Sequence, residues 1–251
     1  MPNPASDHWL AGVDGCPAGW MVALARRNQH DGSTEIRLRI VPRFGDVLTA
    51  DEAPAVIAVD IPIGLPARVG RGGRAAENSV RPLLGDRQSS VFSVPSRASL
   101  DQRDYRDACA VAVATSQPPR KISKQLFNIA PKIREVDACL RADPTAAARV
   151  FEVHPELVFW RLNGGRALAE PKKVKGRCYA PGLALRRCLL IASGIPAEVL
   201  HGDPPNGAGP DDVLDALACA VIASRIRAGT AQSFPDPPER DAFGLPMAIW
   251  A

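Results

Sequence analysis

No apolar run in the sequence approaches the ~20 residues needed to cross a bilayer. The chain is therefore not read as a membrane protein. Aromatic residues are scarce, at 5% of 251, which leaves no evident platform on which bases could stack. None of the six cysteines (Cys16, Cys109, Cys139, Cys178, Cys188 and Cys219) belongs to a CxxC pair. That spacing argues against a zinc site or a disulfide framework. Reduced, mostly buried thiols in a cytoplasmic protein are expected instead. The opening MPNPASDHWLAG has neither the basic start nor the apolar run of a secretory signal. There is no GxGxxG or P-loop pattern. Ser89, Ser90 and Ser93 show no nucleophile elbow, so serine catalysis is not expected. The excess of positive charge is small, +4, which permits a polyanionic partner without demanding one.

What is present is ordinary for a globular protein: 46% hydrophobic and 23% charged residues. The length suits a single domain over residues 1–251 carrying an insertion over 61–148. Leu10 to Asp14 and Trp20 to Arg26 read as strands joined by the turn GCPAG, and Glu35 to Val41 alternates with the period of a half-buried strand. A short helix is expected around Phe44 to Leu48. AVIAVD, ending at Asp60, suits a strand buried on both faces. Within the insertion, Asp104 to Ala114 and Ile122 to Leu140 read as helices, and Asp86 to Arg97 as an ordered loop. A fifth strand follows over Arg149 to Val153, then a helix opened by HPE. PKKVKG (171–176) reads as a basic loop, Leu183 to Ala192 as a core helix, and Asp211 to Arg227 as the clearest helix of all. Strands mixed with helices in this order argue an α/β fold built on a mixed five-stranded sheet flanked by helices.

Acids end the two most apolar strands. Asp14 closes one and Asp60 the other, although Asp is disfavoured inside strands. The end of a strand in an open α/β sheet faces the crevice where ligands bind. Asp212 and Asp215, spaced i, i+3, share one face of the last long helix. Like charges so placed cost stability unless a cation lies between them. Hard oxygen ligands from Asp14, Asp60, Asp212 and Asp215 suit Mg²⁺ or Mn²⁺. Asp211 reads most simply as an N-cap or first-turn acid. Glu152 and His154 lie two apart at the fifth strand's end, on one face by strand period. For Glu152, metal binding and a buried ion pair with an arginine both remain open. For His154, a helix-start hydrogen bond and an acid or base role remain open. Arg81, Arg87 and Arg97 flank the SSVFSVPSR segment, while Lys121, Lys132, Lys172 and Lys173 follow later. Arg87, Ser90, Arg97, Lys132, Lys173 and His154 are the candidates for holding substrate phosphates.

GVDGCPAGW, AVDIPIGLP, LGDRQSSVFSVPSR, ISKQLFNIAPKIREVD, FEVHPEL and DDVLDALACA together resemble the bacterial domain-of-unknown-function family numbered 429, whose members are described as predicted RNase H-like nucleases. The resemblance runs from about Ala11 to the end of the chain. It implies an RNase H-like core, a long insertion after the fourth strand, and a metal site at Asp14, Asp60 and the Asp212/Asp215 pair. The DxxDALA pattern of the last helix is similar to that of Holliday-junction resolvases. The chain departs from the family at Ala76 and Glu77, where Cys-Asp is common.

The resulting expectation is a metal-dependent nuclease with Asp14, Asp60, Glu152, Asp212 and Asp215 as its catalytic acids. Its partner would be nucleic acid or another phosphate ester, and a homodimer is compatible with the sequence. Two alternatives stand beside it: a small-molecule phosphate-ester hydrolase or phosphotransferase, and a binding module without catalysis. A nuclease predicts a basic groove leading to the acids. A small substrate predicts a pocket walled by the insertion. A module without catalysis predicts an acid turned away or salt-bridged.

Overall fold

The computed structural model describes residues 8–28 and 31–251. Its strands are β1 (Leu10–Cys16), β2 (Gly19–Arg27), β3 (Thr34–Val41), β4 (Val56–Val59), β5 (Val150–Glu152), β6 (Lys173–Val174), β7 (Arg177–Cys178), β8 (Ser233–Arg240) and β9 (Pro246–Trp250). Its helices are α1 (Phe44–Leu48), α2 (Ala75–Val80), α3 (Arg97–Leu100), α4 (Tyr105–Ala114), α5 (Lys124–Ala142), α6 (Pro144–Ala147), α7 (Pro155–Leu162), α8 (Ala180–Ala192), α9 (Ala197–His201) and α10 (Pro210–Arg227). The main sheet runs β3-β2-β1-β4-β5. β2 is antiparallel to β1 and β3, whereas β4 is parallel to β1 and β5. This is the expected mixed α/β sheet with a helical insertion after β4.

Side-chain alternation divides the core into two layers. Ala11, Val13, Trp20, Val22, Leu24, Ile57 and Val59 face the insertion and pack with Leu126, Ile133, Val136 and Leu140 of α5. Leu10, Met21, Ala23 and Ala58 face the other way, onto α10, α7 and α8. α10 lies directly on β1 because Gly12 has no side chain: a Cβ there would come within 2.0 Å of the Ala216 carbonyl and 2.2 Å of the Ala220 amide. Ala216 and Ala220 keep the helix surface equally low. The outcome is a helix buried along most of its length, with Asp215 carried to the end of the strand that holds Asp14.

Three segments differ from their sequence-based expectations. PKKVKG forms the first arm and turn of a tight β6–β7 hairpin, with Lys175 and Gly176 at positive φ, where the sequence reads as a loop. The Asp86–Arg97 segment contains a 3₁₀ turn over Gly85–Ser90. The Pro-rich tail forms the β8–β9 hairpin, whose proline-interrupted strand breaks register between Phe234 and Glu239. Prolines suit that edge position because they remove ladder donors. Among the described residues, no helix is long and apolar enough to cross a membrane.

Candidate acidic site

Register decides which acids can meet. Val13, Val59 and Glu152 form one row across β1, β4 and β5. The Val13 and Val59 side chains face the insertion. Glu152, in the same row, faces that way too. Asp14 and Asp60 are each the next residue along and point to the opposite face, where α10 lies. Asp60 is fixed there by its amide, which donates to the Val13 carbonyl at 2.9 Å.

On the α10 face Asp14, Asp60 and Asp215 form one electrostatic cluster. Asp14 is 8% exposed and Asp215 1%. Burial raises the Asp14 carboxyl well above its ordinary range, and the charges of Asp60 and Asp215 raise it further. Burial also raises Asp60, although His154 and Lys172 oppose the rise. Asp215 is pushed up to about 6, first by burial and then by Asp60, while Lys172 restrains it. Asp14 Oδ1 accepts from the Gly15 amide at 2.7 Å. Oδ1 of Asp215 is buried with no hydrogen-bond partner among the described residues.

Two lysines from the entry to the β6–β7 hairpin counter these acids, Lys172 the cluster itself and Lys173 the neighbouring Asp211. The Lys172 ammonium donates to Asp215 Oδ2. Its own pKa is raised: desolvation works against the charge, and Asp215, Asp14 and Asp60 outweigh that. Lys173 pairs with Asp211 at 2.6 Å. Burial alone would raise Asp211, but that hydrogen bond and the two lysine charges hold it below the ordinary range. Asp212 turns back along its own helix, its Oδ2 accepting from the Gly209 amide at 2.8 Å. That cap uses one of its oxygens while burial raises its pKa.

On the insertion face Glu152 takes the ion-pair reading. Arg74 donates to both of its oxygens, at 2.6 and 2.9 Å, and pairs with Glu77 at 2.6 Å. All three side chains are nearly fully buried. The Ile63 amide adds a bond to Glu152 at 2.8 Å. Burial and the second carboxylate, Glu77, push the Glu152 pKa upward against the pull of Arg74. Glu77 stands at the position where the chain departs from the family pattern, so that departure is absorbed into this buried triad.

A cleft of about 420 Å³ opens over the strand ends, lined by Asp14, Asp60, Glu152, His154, Lys132 and Ser90, among others. The insertion supplies much of its wall, including Val91, Phe92 and Ile129. Lys132 is braced by the Gly19 carbonyl at 2.5 Å and by the Trp20 ring at 4.4 Å. His154 Nε2 lies 3.3 Å from the Ser90 carbonyl, and its Nδ1 is buried without a partner among the described residues. Arg97 is engaged elsewhere, with Asp137 and Asp241. Arg87 sits in the 3₁₀ turn and does not line the cleft. Six of the eleven candidate site residues therefore meet in the cleft, Asp215 joins them electrostatically, and Arg74 and Lys172 are the additions.

The donor set suits a hard divalent cation in kind: carboxylate oxygens, strong mutual repulsion and an orphaned buried Oδ1. Asp14, Asp60 and Asp215 are the residues that would hold it. Among the described residues, no three His, Cys, Asp or Glu side chains are close enough to form a ready cage. Lys172 is the cation the acids now surround, so ion binding requires that this ammonium give way on Asp215.

No curated protein and no solved structure matches the chain significantly. A family model does match, over residues 12–240, and its description is a protein of unknown function. That span is most of the chain, and with it the β1 hairpin, the insertion and α10; the chain belongs to the DUF429 family.

Proposed function

We propose that this protein is a divalent-metal-dependent hydrolase of phosphodiester bonds in nucleic acid, with Asp14, Asp60 and Asp215 at its centre. The observation that carries the reading is the cluster of buried Asp14 and Asp215 with half-buried Asp60, in which one oxygen of Asp215 has no hydrogen-bond partner among the described residues. Stacking like charges in a desolvated place is costly and argues for a site more than for stability. Bound Mg²⁺ or Mn²⁺ would polarise a phosphoryl oxygen and lower the pKa of a ligated water. The chain's own groups do the rest. Lys132, at the cleft wall, offsets phosphate charge. His154, which lines the cleft near enough to Asp60 to lower its pKa, would pass a proton to a leaving oxygen. Lys172 keeps the acids tolerable when no ion is bound. Glu152 holds Arg74 and the β5 end in place and so acts as a positioning residue. The RNase H-like label carried by the sequence resemblance agrees with this reading. So does a cytoplasmic location, given six free thiols.

A small phosphate ester is the second reading, favoured by the insertion's walling of the cleft. Calorimetric titration of Mn²⁺ into wild type and Asp14→Asn/Asp215→Asn tests the metal site. Binding to wild type alone is the expected result, and equal binding or none in either protein overturns it. Hydrolysis of bis-p-nitrophenyl phosphate set against p-nitrophenyl phosphate, each with Mn²⁺, then separates diester from monoester chemistry.

A further inference from the structure

The insertion holds a second cavity, of about 560 Å³, behind the segment Val91 to Val94. Val91, Phe92 and Val94 wall both this cavity and the acidic cleft. The two spaces are therefore neighbours across one strand-like segment. Their charges are opposite. The acidic cleft has four carboxylates in its lining. The second cavity has Arg81, Arg120 and Lys121 and, among the described residues, no carboxylate.

These cations are not paired with internal carboxylates. None of the three forms a salt bridge among the described residues. Arg81 is fixed in place without being neutralised. Its Nε donates to the Val91 carbonyl at 3.1 Å, one terminal nitrogen to Asn78 at 3.2 Å, and the other to Ser93 Oγ at 2.9 Å. Burial depresses its pKa, and Arg120 adds to the depression as a like charge, although Glu77 opposes both. Glu77 is itself committed to Arg74. Ser123, the N-cap of the 19-residue helix α5, also lines this cavity, so the helix's positive end faces it. Ser93, already accepting from Arg81, keeps its own hydroxyl hydrogen for a ligand. Val69, Phe92 and Ile122 provide an apolar side.

We propose that this cavity is a phosphate subsite that seats the nucleotide flanking the scissile bond. It deepens the hydrolase reading and rests on it only for the identity of the second occupant. A pre-positioned guanidinium, two further cations and a free hydroxyl donor are what a phosphate dianion requires. The apolar wall and the volume allow a nucleoside to accompany it. With Phe92 in the wall of both the cavity and the acidic cleft, a substrate spanning both would present one phosphate to the acids and the next to Arg81. The favoured substrate is then a diester with a neighbouring phosphate, in preference to a lone monoester.

The test is calorimetric titration of 5′-AMP, and separately of inorganic phosphate, into the full chain with chelator present. Wild type, Asp14→Asn/Asp60→Asn and Arg120→Gln/Lys121→Gln are compared. Arg120 and Lys121 are exposed, so their replacement leaves the core intact. The expected result is equal binding by wild type and the acid variant, and at least tenfold weaker binding by the basic variant. AMP binding more tightly than phosphate identifies the nucleotide as the source; equal affinities assign the subsite to a bare phosphate. Absence of binding to wild type at millimolar ligand overturns the proposal, as does unchanged binding by Arg120→Gln/Lys121→Gln. Loss confined to the acid variant places the anion in the acidic cleft, which overturns the subsite and leaves the hydrolase reading standing. Retained phosphate binding without any Mn²⁺ binding has the opposite meaning.

Discussion

Lys172 donates a hydrogen bond to Oδ2 of Asp215, across 43 residues of sequence, and among the described residues this is the one direct cation contact of Asp14, Asp60 and Asp215. Asp215 is 2% exposed in its side chain and Lys172 32%. The lysine therefore reaches in from the surface to a carboxylate that has nowhere else to turn. Replacing it by methionine keeps much of the stem packing and removes the charge. A buried ion left unpaired costs on the order of 3 kcal/mol. Asp215 can escape part of that cost by taking up a proton. Lys172→Met is expected to destabilise the metal-free protein strongly at pH 8 and less at pH 5, measured by urea unfolding at both. Added Mn²⁺ should restore more stability to the variant than to wild type, because the ion then meets no competitor.

Much of this was legible in the sequence, for a physical reason. Asp14 and Asp60 end apolar runs, and an acid in that place is conspicuous on composition alone. α1 was located to the residue, and α10 to within one, since strong apolar periodicity and clear breakers bound them. Lys172 was visible only as one of several lysines. Its role depends on a hairpin made of two-residue strands, which leave no periodic signal. Arg74 lies amid other arginines in RGGRAAEN, and nothing local marks it as the buried one. Its burial is a consequence of Glu152, 78 residues away. Glu152 itself illustrates how register settles what spacing leaves open: a one-residue offset from Asp60 sends it to the other face of the sheet.

The raised carboxyls make both stability and ion binding depend on pH, in opposite senses. Asp215 has a folded pKa of about 6 against an ordinary 3.8. Its contribution to stability is present below the unfolded value and lost as pH rises through 6. The metal-free wild type should therefore gain, relative to Asp215→Asn, on the order of 1 kcal/mol per pH unit between pH 6 and 4. Mn²⁺ must displace that proton, so its affinity should fall about tenfold per pH unit below 6. Calorimetry at pH 7.5, 6 and 5 checks the second statement, and denaturant unfolding of the two proteins checks the first.

Arg74 is the hub of the insertion-side triad, satisfied by Glu77, Glu152 and the Ile63 and Gly64 carbonyls. Arg74→Met leaves two carboxylates buried without a cation. Breaking such a network costs about 3–5 kcal/mol. The triple variant Arg74→Met/Glu77→Gln/Glu152→Gln should recover a large part of that loss, because no buried charge remains. Thermal unfolding of the three proteins distinguishes this from a simple packing defect, in which the triple variant would be no better than the single one.

The seating of α10 on β1 gives the sharpest structural prediction, because the obstruction is backbone. A methyl group at Gly12 would meet the Ala216 carbonyl at 2.0 Å and the Ala220 amide at 2.2 Å. No rotamer change relieves either contact, so the helix must lift away from the strand. Overpacking of this kind costs about 1–3 kcal/mol and more when the backbone has to move. Gly12→Ala is expected at or above the top of that range, a fall in Tm of roughly 6–12 °C for a chain of this size. Trimming the neighbour in Gly12→Ala/Ala216→Gly should not rescue it, since the clash is with the carbonyl oxygen and not with a side chain. Gly45→Ala, where the new methyl meets nothing within 4 Å, is the control and should be neutral or slightly stabilising. Asp215 precedes Ala216, so lifting the helix also draws its carboxylate away from Asp14. Gly12→Ala should accordingly bind Mn²⁺ more weakly than wild type even at temperatures where it remains folded. Undiminished Mn²⁺ binding by a folded Gly12→Ala would mean that the acids do not depend on this helix–strand contact for their arrangement.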